Sequence, residues 1–489
     1  VSALAALARL RAVREGRAQR LTTVRHCHVS DRPMVFVPFQ LAGEAAAPLA
    51  AMVGTDPGSP RLLVVPQPRD RDLRFAFAAE LAEVVLPYVE GFGKVTETVE
   101  RRNADPYERC LDAPQLVLPN RQGVAFTGLL GRSTRFRRPD GPFPVHPSVP
   151  VLGRWLTFFA ERASYPGSSL TLAATDALAM HWASGQSDLE DANLAALMGW
   201  IDPPPGRTGL QAAEEAEDPL LWPPAGPATD PGFDNEVLAP AIEAYAEAPT
   251  AAAVERIRQA VRSQAEPAWR LTWRALELLR ALPAGGSVAQ RWDYDRGAFT
   301  DFLTRTAEGA PPQARRDGAV SAAARLARME RARASFDAQR AYDDPLVMAE
   351  YRLTGEAFAG NVVATEPEHT EGEGRSRKLR PLVTVATADP VRLAPGTTLG
   401  TPDRRGQEAE VVEVEGGTVT IKITKGMGRG KTPAPGAVPE VGERVCYTSV
   451  TDDFQAAAAL PEPEMTPWTH GGPPPEYVPT DEDAGEEWS

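Results

Sequence analysis

Residues 2–20, SALAALARLRAVREGRAQR, place Leu4, Leu7, Leu10 and Val13 at helical spacing with Arg9, Arg11, Arg14, Arg17 and Arg20 between them. That period predicts a basic amphipathic first helix. Strand-like apolar runs follow in LTTVRHCHV, PMVFVPFQL and RLLVVPQ. At DRDLRFAFAAELAEVVLPYV the period lengthens, and Leu73, Phe77, Leu81, Val84 and Val85 share one helical face. PQLVLPN is a further short strand. Strands alternating with a helix predict an α/β domain over residues 22–150, which the first helix extends to 1–150.

Helical periodicity dominates residues 151–310, in VLGRWLTFFAERA, TLAATDALAMHWASG, DLEDANLAALMGWI and AAAVERIRQAVRSQAEPAWRLTWRALELLRAL. It is interrupted over residues 202–232, DPPPGRTGLQAAEEAEDPLLWPPAGPATDPG, whose prolines and acids predict an extended loop. Ala- and Arg-rich residues 312–342 predict the longest uninterrupted helix, the core of a stalk-like segment 311–356. From residue 357 the period shortens to two. Six short runs separated by turn residues predict a small closed or partly open β-barrel over 357–453. EAEVVEVEGGTVTIKIT is its clearest hairpin, turning at Gly416-Gly417. Residues 454–489, acidic and proline-rich with almost no aliphatic residues, read as a disordered tail. The expected fold class is multidomain α+β: an N-terminal α/β domain, a central helical region, a C-terminal small β-barrel and the tail.

Composition changes this picture little. The 489 residues are 43% hydrophobic and 24% charged, enough to bury real cores, and 40 glycines and 47 prolines imply long connections. No run of about 18 apolar residues suggests a membrane span. Three distant cysteines, Cys27, Cys110 and Cys446, do not make a disulfide framework, so a cytoplasmic setting is expected. High Ala, Arg and Pro content suggests a GC-rich bacterial genome.

Charge matters more through its distribution than through its total of −14. Residues 461–489 carry eight acids and no Lys or Arg, residues 375–450 carry 12 Lys and Arg against eight acids, and residues 313–340 carry seven Arg against three acids. Arg325 and Arg328 lie in that last basic stretch.

Several short patterns invite chemistry. TVTIKITKGMGRGKTPAPG spells the end of a P-loop at Gly430-Lys431-Thr432. The first glycine of that motif is replaced by Lys425, and Pro433 and Pro435 oppose the helix it needs. The expected object is a basic hairpin loop in which Lys422, Lys425, Arg429 and Lys431 touch phosphate, or else a plain surface hairpin loop. GLLGRSTRFRRPDG sets Arg132, Arg135, Arg137 and Arg138 around Phe136, a pattern that grips phosphates and stacks a base, or else a solvated loop. Arg69, Arg71 and Arg74 flank a helix start and pair with Asp70 and Asp72, or await an anion. His26 and His28 would share a strand face, with Cys27 opposite. Two ligands fall short of the four a structural zinc site needs, so no metal or other cofactor is expected. Ser187 and Glu190 fit a capping box. No Gly-x-Ser-x-Gly or His-Glu-x-x-His motif occurs.

One order of elements is familiar. A long Arg-rich helix runs through FAGNVV into strands carrying PGTTLG, AEVVEVEGGTVTIKI and PEVGERVCYTS. Over residues 313–450 this resembles the stalk helix and accessory barrel of superfamily-one helicases of the nonsense-decay type, without their motor core. The resemblance implies a barrel that sits on a motor and contacts a nucleic-acid strand. The sequence therefore leads to a non-catalytic accessory protein of a helicase or ATPase encoded separately, binding DNA or RNA and no membrane. In that reading Trp468, Tyr477 and Trp488 of the acidic tail anchor it to a basic partner surface. The alternatives are an enzyme with its site in the N-terminal α/β domain, around the two arginine groups, and a scaffold that binds protein only.

Overall fold

A computed structural model of the chain describes residues 2–44, 46–101, 104–372, 377–428, 430–451 and 459–461. Trp468, Tyr477, Trp488 and Arg429, and with them the tail, lie outside the described residues.

The apolar run MVFVPFQ becomes β1 (Met34–Gln40), and two further strands, β2 (Pro48–Gly54) and β3 (Arg61–Val64), continue it as an antiparallel meander. On the other side of β1 lie β6 (Leu116–Leu118) and β7 (Thr171–Ala173), both parallel to it, giving the order β3-β2-β1-β6-β7. Between β3 and β6 run α2 (Arg71–Phe92) and a separate ribbon of β4 (Thr96–Arg101) and β5 (Ala104–Cys110). Strand β1 is apolar at consecutive positions because both sheet faces are covered. Val35, Val37 and Phe39 enter one core, and Met34 and Phe36 the other.

The first core is closed by α5 (Ala174–Ala179), α6 (Leu194–Ile201), α8 (Ala239–Glu247) and α9 (Ala251–Arg280). The second is closed by α2, α3 (Arg121–Thr134), α4 (Ser148–Ala163) and α10 (Val288–Ala307). Both cores mix residues from before and after position 150. The expected boundary there therefore does not separate two cores: the central helices are the outer layers of the N-terminal sheet.

Local differences have local causes. Residues 48–54, PLAAMVG, hold small apolar residues with no alternation, which hid β2. GLLGRST, read as a loop, is the end of α3. Its glycines are there because α4 crosses close by: a Cβ on Gly131 would lie 2.6 Å from Thr157 N, and one on Gly153 only 2.3 Å from Arg135 N. The run LTTVRHCHV forms no strand apart from a parallel bridge of Arg25 to Ala284. Residues 202–232 are not one extended loop, since Thr208 and Gln211 form a capping box that starts α7 (Gly209–Ala216). The longest described helix is α9, of 30 residues with Pro267 inside it, rather than the stalk.

The first helix is α1 (Ala3–Glu15), capped by the Ser2 side chain. The stalk helix is α11 (Ala319–Asp343), followed by α12 (Pro345–Thr354). These lead into a closed six-stranded barrel of β8 (Ala357–Glu366), β9 (Leu382–Ala386), β10 (Thr398–Gly400), β11 (Glu408–Glu415), β12 (Thr418–Lys425) and β13 (Arg444–Thr448). Its order is β8-β9-β12-β11-β10-β13. The β11–β12 hairpin turns at Gly416 and Gly417 with φ of 56° and 83°, the left-handed pair that a tight two-residue turn requires. The barrel packs its own core around Phe358, Val383, Ile421, Ile423 and Tyr447. Among the described residues no helix is long and apolar enough to cross a membrane.

Candidate nucleic-acid interface

Helix α11 owes its helicity to composition more than to packing. No residue between Ala319 and Ser335 is buried, and only Phe336, Ala338, Gln339 and Ala341 near its end are. Its free portion carries Arg325, Arg328, Arg331 and Arg333 against the single acid Glu330. Arg325 reaches Asp317 (2.8 Å) and Arg333 reaches Asp337 (2.6 Å). Arg328, exposed, and Arg331, half-buried, make no ion pair among the described residues. Leu326 stands beside them at 59% exposure. This is a cationic ridge with an apolar flank, able to meet an extended polyanion.

The arginines of residues 132–138 are placed differently from the expected phosphate grip. Arg132 is exposed at the end of α3, and Arg138 pairs with Asp140 (3.0 Å). Arg135, Phe136 and Arg137 are each 4% exposed. Arg135 Nε donates to the carbonyl of Gln313 (2.8 Å) and Nη2 to that of Ala314 (3.2 Å), while the Arg315 guanidinium lies over the Phe136 ring. Arg137 Nε donates to the Ser133 carbonyl (3.0 Å). Arg135 and Phe136 fasten the base of the stalk to the body, while Arg137 packs over Phe75 within the body, so the three are turned away from a strand outside it.

The barrel loop is also more balanced than its spelling. Lys422 bridges Glu371 (3.0 Å) and Glu410 (3.2 Å), and the hydrogen bond it donates to Glu371 pushes the ammonium pKa up. Lys425 pairs with Glu408 across the hairpin. Lys431 is exposed in a loop with no helix after it, so no dipole faces its phosphate position. Arg69 pairs with Glu44 (3.2 Å) and Arg71 with Asp72 (2.9 Å), while Asp70 caps α2 by accepting from Leu73 N–H (2.9 Å). Ser187 and Glu190 exchange the two bonds of a capping box.

At the sheet, β1 is the switch point, antiparallel to β2 and parallel to β6, where open α/β sheets usually take ligands. Here the chain fills the crevice itself. Gln40 N–H donates to the Pro227 carbonyl (2.9 Å), and Asn120 Nδ2 to the Gly226 carbonyl (2.8 Å). Gly226 lies so close that a Cβ would stand 2.7 Å from the Pro38 carbonyl oxygen.

Two adjacent carboxylates at the end of α11 hold stalk, body and barrel together. Asp343 accepts from Ser287 N–H (2.9 Å) and Oγ–H (2.9 Å) at the start of α10, and pairs with Arg405 of the barrel. Asp344 accepts from Thr23 N–H (2.6 Å) and Val24 N–H (3.3 Å), and caps α12 through Leu346 N–H (2.9 Å). Burial works against its charge. Neighbouring His26 and those N–H groups outweigh that and hold the Asp344 carboxyl down to about 2. His26 Nε2 is 3.6 Å from Asp344, and burial pushes the His26 pKa down. His26 stacks with His181, and His28 stacks on Trp292 (4.0 Å), so the two expected strand partners serve different packings. Among the described residues no group of three His, Cys, Asp or Glu is arranged to hold a metal ion. Nothing in the sequence marked Asp343, Asp344 or Arg405, because their partners are distant along the chain.

Comparison with protein-family models, curated proteins and solved structures gives no match.

Proposed function

We propose that this chain is a non-catalytic accessory protein of a nucleic-acid motor, touching the phosphate backbone of DNA or RNA with the arginine ridge of α11 and the barrel it carries. The observation that carries the reading is the ridge itself, a helix whose first four turns bury nothing and present Arg325 and Arg328 outward, with Arg331 half-buried beside them. Protein packing does not require such a surface, and cations spaced along a helix suit a regularly charged strand. The stalk runs through α12 into a closed barrel, the order of elements found in the accessory region of superfamily-one helicases. The motor is a separately encoded helicase or ATPase, which the acidic segment engages through Trp468, Tyr477 and Trp488. The enzyme alternative loses weight, since Arg135 is committed to the stalk base and Arg137 to the Ser133 carbonyl.

Fluorescence anisotropy of a labelled oligo-dT of about 20 nucleotides, titrated at about 50–200 mM salt, tests the reading. The full chain is expected to bind with a falling salt dependence. An Arg325→Glu/Arg328→Glu variant should lose about tenfold or more in affinity and about one to two in the salt slope, near 0.7 per phosphate contact for single strands. Equal binding by the variant would remove α11 from the interface. A protein-only scaffold would give no binding at any salt.

A further inference from the structure

The described chain leaves the barrel at a telling place. Tyr342, in the last turn of α11, donates its hydroxyl to the carbonyl of Val450 (3.2 Å), two residues after β13 ends. The segment that follows is thus released beside the stalk. Its residues 461–489 carry eight acids, no Lys or Arg, and Trp468, Tyr477 and Trp488. Arg328 lies 14 positions before Tyr342, about 21 Å along a helix. The 26 residues from Val450 to Glu476 can span up to about 85 Å when extended, so reach is ample.

We infer that the acidic segment 476–488 docks on the ridge of α11 in its own chain, setting its carboxylates against Arg328 and Arg331 and its aromatics against Leu326 and Met329. Three observations select this occupant. The ridge holds two arginines without an ion-pair partner among the described residues, next to an exposed leucine. The segment has the opposite charge and supplies aromatic anchors. Tethering at Val450 makes the encounter intramolecular, at an effective concentration that reaches millimolar for short links. The consequence rests on the proposed function: the segment occupies the cations a nucleic-acid strand would use, and a strand or a motor's basic surface must displace it. The acidic segment is then a built-in competitor as well as a partner-binding element.

The docking is testable without nucleic acid. In the full chain, Arg328→Lys puts an amine on the ridge, and carbodiimide joins it to any carboxylate in direct contact. The expected product is a monomer in which residue 328 is linked to a carboxylate within 476–487, found by peptide mass spectrometry and lost at about 1 M NaCl. A link from residue 328 only to other regions, only between two chains, or to nothing overturns the docking. A second arm measures competition. With all eight acids of 461–489 changed to Asn or Gln, the full chain should bind the same oligo-dT about tenfold or more tightly at about 50 mM salt. Binding by both forms with equal affinity overturns the competition. A chain that gives the crosslink yet binds no strand in either form keeps the docking and loses the motor-accessory reading.

Discussion

Gly131 shows how a single residue can misdirect a reading of the sequence. Glycine is a poor helix former, so GLLGRST reads as a loop, while VLGRW with Gly153 keeps its helical period. In the fold both sit where α3 and α4 touch backbone to backbone. Gly153→Ala forces a methyl against Arg135 N and should destabilise the chain by about 1–3 kcal/mol. Gly297, inside α10 with no atom within 4 Å of a built Cβ, is the control. There Gly297→Ala should be neutral or stabilise by up to about 1 kcal/mol. Thermal unfolding of both variants decides the matter, and equal melting temperatures would refute the crossing argument.

Among elements, the junction of α11 and α12 is fixed by charge in a place where apolar contact is slight. Asp344 is buried, caps α12 and holds the segment at Thr23 and Val24. Its folded pKa of about 2 lies below the ordinary carboxylate value. Its contribution is therefore fully present above about pH 4 and lost as pH falls toward 2, about 1–2 kcal/mol after allowance for screening. Urea unfolding between pH 2 and pH 6 should show the wild type losing more stability on acidification than Asp344→Asn. Parallel pH curves for the two proteins would mean that the carboxylate is not the responsible group. Helix α11 was legible from alanine and arginine content alone, since a helix that buries little must rely on propensity. Helix α9 was legible as a helix, but its length was hidden by Pro267, whose missing hydrogen bond is outweighed by Ile257, Val261, Trp269 and Leu276 packed against the sheet.

Across the whole molecule, the body and the barrel keep separate cores. A small cluster of Ala341, Val347, Met348 and Ala357 ties α11 and α12 to the barrel, aided by the Arg405–Asp343 pair and by Arg352, which grips Asp389 at 2.8 and 3.0 Å. Arg405→Ala removes the charge that links the barrel to the start of α10 while leaving both cores intact. Scanning calorimetry should then show the barrel melting as a distinct, lower-temperature transition while the body's transition stays in place. A trace superimposable on that of the wild type would show that the pair does not couple the two units.

By itself the sequence determined the elements whose signal is local. The β11–β12 hairpin follows from strict alternation around two glycines, the closed barrel from its spacing of short strands, α2 from its apolar face, and the failure of the P-loop spelling from Lys425 and two prolines. Tertiary structure decided whatever depended on distant partners. It merged residues on both sides of position 150 into one three-layer body, because sheet and helices must bury each other's apolar faces. It turned Arg135 inward, because the backbone carbonyls at 313 and 314 needed donors and came within reach only on folding. Among the described residues it also left the α11 ridge uncovered. Charge can be read from a sequence, but whether a charge is already matched depends on which residues the fold brings within a few ångströms of it.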